Sequence, residues 1–171
     1  MGAIEGIVFG AGPGSFTGLR IACGVAQGLA IARNLPVAGI GTLLALAEDS
    51  DAESVIACLD ARMGEVYHAV YQKQGDQWME THAPALYKPD SVPPVEGRGW
   101  VGRGSGFRAH VSAMAQRYGS NLARIDADAV PRAAAMLRLA VTVFASGRGK
   151  DAAEAAPLYL RDKVALKTSE R

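Results

Sequence analysis

The sequence predicts an α/β protein built on parallel strands, and three observations carry that prediction. A short apolar run, Ile7-Val8-Phe9, leads through Gly10-Ala11-Gly12-Pro13-Gly14-Ser15 into a long apolar segment, Ile21 to Ala32. That order reads as strand, glycine loop, helix. A second strand-helix pair follows at once, Val37–Ile40 and then Leu43–Glu48. Strands alternating with helices imply a parallel sheet. Beyond the polar stretch Glu48 to Ser54, the β-rich runs Val55–Leu59 and Glu65–Gln72 flank a short turn and read as an antiparallel hairpin.

The strand is read over Ile4–Phe9 and the helix over Phe16–Arg33. Ser15 is placed as N-cap, its oxygen taking an orphan amide of the first turn. Asn34 and Pro36 end the helix. Two apolar stripes run along it at spacings of three and four. One is Gly18, Ile21, Val25, Leu29 and Ala32; the other is Phe16, Leu19, Cys23, Ala26 and Ala30. A helix that is apolar on both sides is covered on both sides. One stripe packs on the sheet, and the other needs a helix from this chain or from a partner. Gly24 and Gly28, four apart, allow close helix packing.

Glycines at 10, 12 and 14 open backbone angles closed to other residues. Amides and the helix dipole could cradle an anion or nucleotide there, with Gly12, Gly14 and Ser15 as its residues. The match to known phosphate loops is poor. The spacing is G-x-G-x-G, and no lysine occurs before Lys73. Pro13 stands where a nucleophile elbow around Ser15 needs glycine. A tight turn with a capped helix is the favoured reading.

Further on, Gln77–Tyr87 and Trp100–Gly102 read as strands, with a proline-rich loop between them. Gly102–Gly106 is a second glycine loop leading into a helix over Phe107–Tyr118. Leu122–Ile125 reads as a strand, and Pro131 starts a helix to Ser146. The tail to Arg171 is polar and expected to fray. The chain divides at the polar stretch into 1–51, a βαβα unit, and 52–171, a second α/β unit with C-terminal helices.

Apolar residues make up 49% of the 171 and charged residues 20%, which fits a soluble globular chain. The net charge of +1 argues against strong overall attraction to polyanions. Its distribution is uneven: residues 98–150 hold nine Arg or Lys against Asp126 and Asp128. Contact with an acidic partner such as RNA, through Arg98, Arg103, Arg108, Arg117, Arg124 and Arg132, is one reading of that half. A solvated arginine-rich surface is the blander one. The longest apolar segment, Ile21 to Ala32, is interrupted by Gln27 and falls short of the roughly 20 residues that cross a bilayer. Cys23 and Cys58 form no C-x-x-C and no paired framework, so reduced thiols and a cytoplasmic location are expected. His68, His82 and His110 show no metal-ligand spacing, and no metal site is expected. Asp60 and Glu65 flank Arg62. They could serve as an acid/base pair, but an arginine held between two carboxylates is the simpler outcome.

Three stretches resemble one family. They are Gly12-Pro13-Gly14-Ser15-Phe16-Thr17-Gly18-Leu19-Arg20, Asp60-Ala61-Arg62-Met63-Gly64-Glu65-Val66-Tyr67, and Pro157-Leu158-Tyr159-Leu160-Arg161. Together they are similar to the signatures of the TsaB family, also called YeaZ. The resemblance implies the two-lobed actin/Hsp70-like (ribonuclease-H-like) α/β fold. It also implies a three-stranded meander and a helix ahead of the glycine loop. Those are not in this sequence, so the first lobe is expected to be N-terminally truncated, through a misassigned start or a fragment.

The resemblance implies a non-catalytic scaffold or activating subunit without a cofactor. It would partner TsaD, with the ATPase TsaE, in forming threonylcarbamoyladenosine beside the anticodon of tRNAs. It would contact tRNA indirectly and pair with itself when alone. A glycoprotease-like peptidase or a nucleotide-dependent transferase of the same fold is one alternative, and a tRNA-binding module using the arginines of residues 98–150 is the other. Family members pair through N-terminal helices, which points here to Phe16, Leu19, Arg20, Cys23, Ala26, Gln27 and Ala30 as interface residues.

Overall fold

The computed structural model describes residues 4–161. The polar tail that the sequence leads one to expect to fray lies outside the described residues. Strand β1 (Ile7–Gly12) leads into helix α1 (Phe16–Arg33), and β2 (Val37–Gly41) pairs with β1 in parallel, Ile7 opposite Val37. The strand therefore starts later than the apolar run suggests and continues through Gly10, Ala11 and Gly12. Helix α1 has the bounds its periodicity predicts. Ser15 Oγ accepts from the Gly18 amide at 3.4 Å, and Asn34 closes the helix in a left-handed conformation at φ 50°.

Helix α2 (Thr42–Glu48) follows directly. Thr42 is its first residue, and its hydroxyl donates to Pro13 O. Leu43, Leu46 and Ala47 are fully buried, packed with Val55, Ala57, Ala69 and Tyr71 of the next unit. This short helix joins the two lobes.

The second sheet holds β3 (Ser54–Asp60), β4 (Val66–Gln74), β5 (Gln77–Tyr87), β6 (Trp100–Arg103) and β7 (Leu122–Asp126), in the order β5-β4-β3-β6-β7. The β3–β4–β5 strands are antiparallel, while β6 and β7 run parallel to β3. Between β6 and β7 the predicted single helix is two, α3 (Ser105–Ala109) and α4 (Val111–Tyr118), because His110 leaves helical geometry at φ −132°, ψ 48°. The glycine loop before α3 exists for contact. A side chain at Gly104 would meet Cys58 O, and one at Gly106 would meet Cys58 Sγ. The core of this lobe is Ile56, Val66, Val70, Trp100, Phe107, Met114 and Tyr118.

Helix α5 (Ala133–Ala145) corrects the division at residue 52. It crosses back to the first lobe, where Ala140 packs with Ala38 and Ile40 of β2. Lys150 then bridges to Val37, and a 3-10 turn at Ala152–Glu154 leads into the last described segment. The C-terminal helix therefore belongs to the first unit, covering the sheet face opposite α1. Sequence order hides this, because the two contacting segments lie far apart in the chain.

Candidate functional site

Helix α1 presents one face to the sheet and one to solvent. Leu19, Cys23, Ala26 and Ala30 are the buried ones. Cys23 and Ala26 pack on Phe9, and Ala30 packs on Val37 and Ala152. This differs from the interface face predicted from the sequence: Leu19, Cys23, Ala26 and Ala30 point inward. Gln27 also turns toward the chain's own end, its Nε2 donating to Ala155 O at 3.2 Å. Of that set, Phe16 and Arg20 are exposed. The Arg20 guanidinium lies 3.6 Å over the Phe16 ring, and its Nε donates to Tyr159 Oη at 3.1 Å.

The outward stripe is the other one. Ile21 is 61% exposed, Val25 57% and Leu29 54%. Nothing lies within 4 Å of where a side chain at Gly24 or Gly28 would begin. The periodicity reveals two stripes; residue size decides which goes down. Cysteine and alanine sit where the helix lies close on the strands, and the bulky stripe stays outside. A contiguous exposed apolar face of this kind marks an interaction surface.

The glycine loop has a neighbour from its own chain at Gly12. Gly12 has φ 114°, and a side chain there would begin 2.8 Å from Leu158 O. Its role is to admit the C-terminal segment. Gly14 and Ser15 instead line a cleft of about 710 Å³ between the lobes, with Phe16, Asp60, Arg62 and Arg161 among its walls.

The β3–β4 turn forms one wall. Arg62 is not held between two carboxylates. It lies 3.7 Å from Asp60 and is 88% exposed, while Glu65 pairs with Arg161 at 2.8 Å. The Asp60 carboxylate accepts from the Arg62 amide, and the Asp60 amide donates to Ser105 Oγ at 3.1 Å. His110 Nε2 stands 3.8 Å from Asp60. Sequence spacing hid this meeting of Asp60, Ser105 and His110. Among the described residues no hydrogen bond joins Ser105 to His110, so the serine has no base in place.

Most buried polar groups elsewhere bond within the chain, while His68 Nδ1 and Arg103 Nε have no hydrogen-bond partner among the described residues. His68 is fully buried. Tyr118 donates to Pro93 O at 2.6 Å, which leaves its oxygen to accept from His68 Nε2–H at 2.8 Å. Burial, with His82 and Arg117 adding to it, depresses the His68 pKa to about 3. Burial pushes the Cys58 thiol up to about 12, with Asp60 adding to it, so this cysteine is no nucleophile. Burial also pushes Glu48 upward, but hydrogen bonds from Trp78 and Arg138 outweigh it and hold the carboxyl below its usual range.

The arginines of residues 98–150 are similarly occupied. Arg103 is buried between Asp49 and Asp126. Arg108 pairs with Asp128, Arg124 with Asp51, and Arg132 with Asp49. Arg117 donates to Val92 O. That half carries excess charge in sequence, yet most of its guanidinium groups already have partners.

A family model described as "TsaD: tRNA N6-adenosine threonylcarbamoyltransferase" matches residues 1–168. The tRNA threonylcarbamoyladenosine biosynthesis protein TsaB of Escherichia coli is 38% identical over 96% of this chain and 74% of its own length. The chain belongs to the TsaB family. The protein of the same name in Haemophilus influenzae is 34% identical over 96% of this chain and 73% of its own. A solved structure of YeaZ from Pseudomonas aeruginosa superposes with a TM-score of 0.84 at 40% identity, covering 92% of this chain and 74% of that one. The fold is thus the actin-like α/β fold of TsaB/YeaZ proteins. No described helix of this TsaB-family chain is long and apolar enough to cross a membrane.

Proposed function

We propose that this chain is a non-catalytic scaffold or activating subunit that partners TsaD. With TsaE, which it reaches through TsaD, it serves the formation of threonylcarbamoyladenosine on tRNA in the cytoplasm. The bare outward stripe of α1 carries this reading. Ile21, Val25 and Leu29 form an apolar face, flanked by the open backbone at Gly24 and Gly28, that a facing helix would cover. The same face would serve a second copy of the chain when TsaD is absent. The engagement of Ser15, Ser105, Asp60 and His68 in structural contacts supports a role without chemistry of its own. tRNA contact would then run through the partner, in keeping with the paired arginines.

The test is binding of TsaD from the same organism, measured by titration calorimetry. The double variant Ile21→Glu/Leu29→Glu should lose affinity by about 100-fold or more, the scale of an interface hot spot. Its melting temperature should stay near that of the parent, because both residues are already in water. Unchanged affinity would sink the assignment of this face. Turnover of nucleotide or peptide by the isolated chain would sink the non-catalytic role.

A further inference from the structure

Residues 155–161 form neither helix nor strand, and Leu158 and Tyr159 are exposed. The segment still touches both lobes. On the first, the Leu158 amide donates to Ala11 O at 2.7 Å, and Ala155 O accepts from Cys23 Sγ and Gln27 Nε2. Tyr159 Oη accepts from Arg20. On the second, Arg161 lies 2.8 Å from Glu65 and donates to Ala61 O at 2.9 Å. Its other terminal nitrogen is 3.0 Å from Met63 Sδ.

The turn that Arg161 holds is unusual. Arg62, Met63 and Gly64 have φ values of 63°, 55° and 72°. Two consecutive side-chain-bearing residues in left-handed geometry are disfavoured by the clash of Cβ with the backbone. Such geometry persists only where the surroundings over-determine it. Here the Asp60 carboxylate caps the Arg62 amide from one side, and Arg161 grips the Ala61 carbonyl and the Met63 sulfur from the other. Both the turn and Arg161 line the interlobe cleft.

We infer that residues 155–161 are a latch across the lobes, with Arg161 fixing the cleft opening and the left-handed turn together. Its grips are mainly hydrogen bonds and one ion pair near the surface, with Ala155 and the Tyr159 ring adding only small apolar contacts. It therefore opens below the free energy at which the five-stranded sheet unfolds, as a sub-global unit. Opening would free the β3–β4 turn and widen the cleft without melting either core. This inference does not depend on the partner proposed above.

Amide hydrogen exchange on the full chain tests it. Leu158 reports the grip on β1, while Ala61 and Glu65 report the turn, their amides donating to Glu65 O and Arg62 O. In Arg161→Gln all three should exchange about ten-fold faster or more, with amides in the middle of β3 unchanged. Arg161→Lys keeps a charge opposite Glu65 but lacks the second nitrogen that reaches Met63, so it should move the same three amides in the same direction by less. Faster exchange at Ala61 and Glu65 with Leu158 unmoved would make Arg161 a local prop and overturn the latch. No change at any of the three would overturn it as well. Should Arg161→Gln fail to fold, Arg161→Lys read at these amides decides the matter.

Discussion

The two lobes hold their apolar residues in different places. In the second, large side chains meet inside one continuous core: Ile56, Val70, Trp100, Phe107, Met114 and Tyr118. In the first, buried clusters are small and rich in alanine and cysteine, such as Phe9 with Cys23 and Ala26, or Ala38 with Ile40 and Ala140. Several of its large side chains lie outside, with Ile21, Val25 and Leu29 on α1 and Leu137 and Val141 on α5. A lobe built this way gains less from its own interior and leaves apolar surface exposed. The second lobe, with the larger core, is the platform of the fold.

The largest expected effect therefore lies in the second lobe. Phe107 is buried with its ring directly over Gly102, where a side chain would begin 2.6 Å from it. Phe107→Ala should cost about 3–5 kcal/mol in urea unfolding. In the first lobe, Cys23→Ala removes one buried thiol and its bond to Ala155 O, and should cost only about 1 kcal/mol. Equal costs would erase the contrast between the lobes.

A second effect also sits on the platform and depends on pH. His68 is buried neutral, with its pKa depressed to about 3 by burial first and by His82 and Arg117 next. Unfolded, it titrates near 6.5. Between those values the unfolded chain binds a proton that the folded chain refuses. The stability that His68 permits is therefore complete above pH 6.5, falls as pH drops, and is gone near pH 3. Lowering the pH from 6.5 to 5 should remove about 2 kcal/mol. His68→Gln, which can still donate to Tyr118, should flatten the curve in that window. A parent curve that is already flat from pH 6.5 to 5 would count against a neutral, buried His68.

Much of the contrast was legible in the sequence, and its limits are physical. The bounds of α1 followed from periodicity, cap and stop signals, because these are local. The two stripes on α1 were legible as well. Their orientation was not, since Leu19-Cys23-Ala26-Ala30 and Ile21-Val25-Leu29 are both apolar, and only the closeness of β1 and β2 favours the smaller set. The return of α5 to the first lobe was hidden because no local signal states which sheet a helix packs on. The role of Arg161 was hidden for the same reason. Its partners Ala61 and Glu65 lie far upstream, and Glu65 looked committed to Arg62 by sequence proximity alone. The Asp60–Ser105–His110 meeting needed β3 and α3 to come together, which the glycines at 104 and 106 permit but do not announce.

The smallest effect on stability sharpens the comparison most. Val25 is 57% exposed and stands between Ile21 and Leu29 on the outer stripe. Val25→Ala removes little buried surface and improves helix propensity by a few tenths of a kcal/mol. The isolated chain should keep its unfolding free energy within about 0.5 kcal/mol of the parent. On a covered surface the same truncation opens a gap, and the complex with TsaD should weaken by about 1 kcal/mol, read as a five-fold rise in Kd. Gly28→Ala makes the complementary change, adding a methyl group where the free chain has open space. It should raise the stability of the isolated helix by up to about 1 kcal/mol while weakening any tightly packed helix pair. A residue that is neutral or stabilising alone and costly in the complex belongs to a surface shaped for another chain. If both variants are neutral in both measurements, the bulk left outside α1 has no partner at this face.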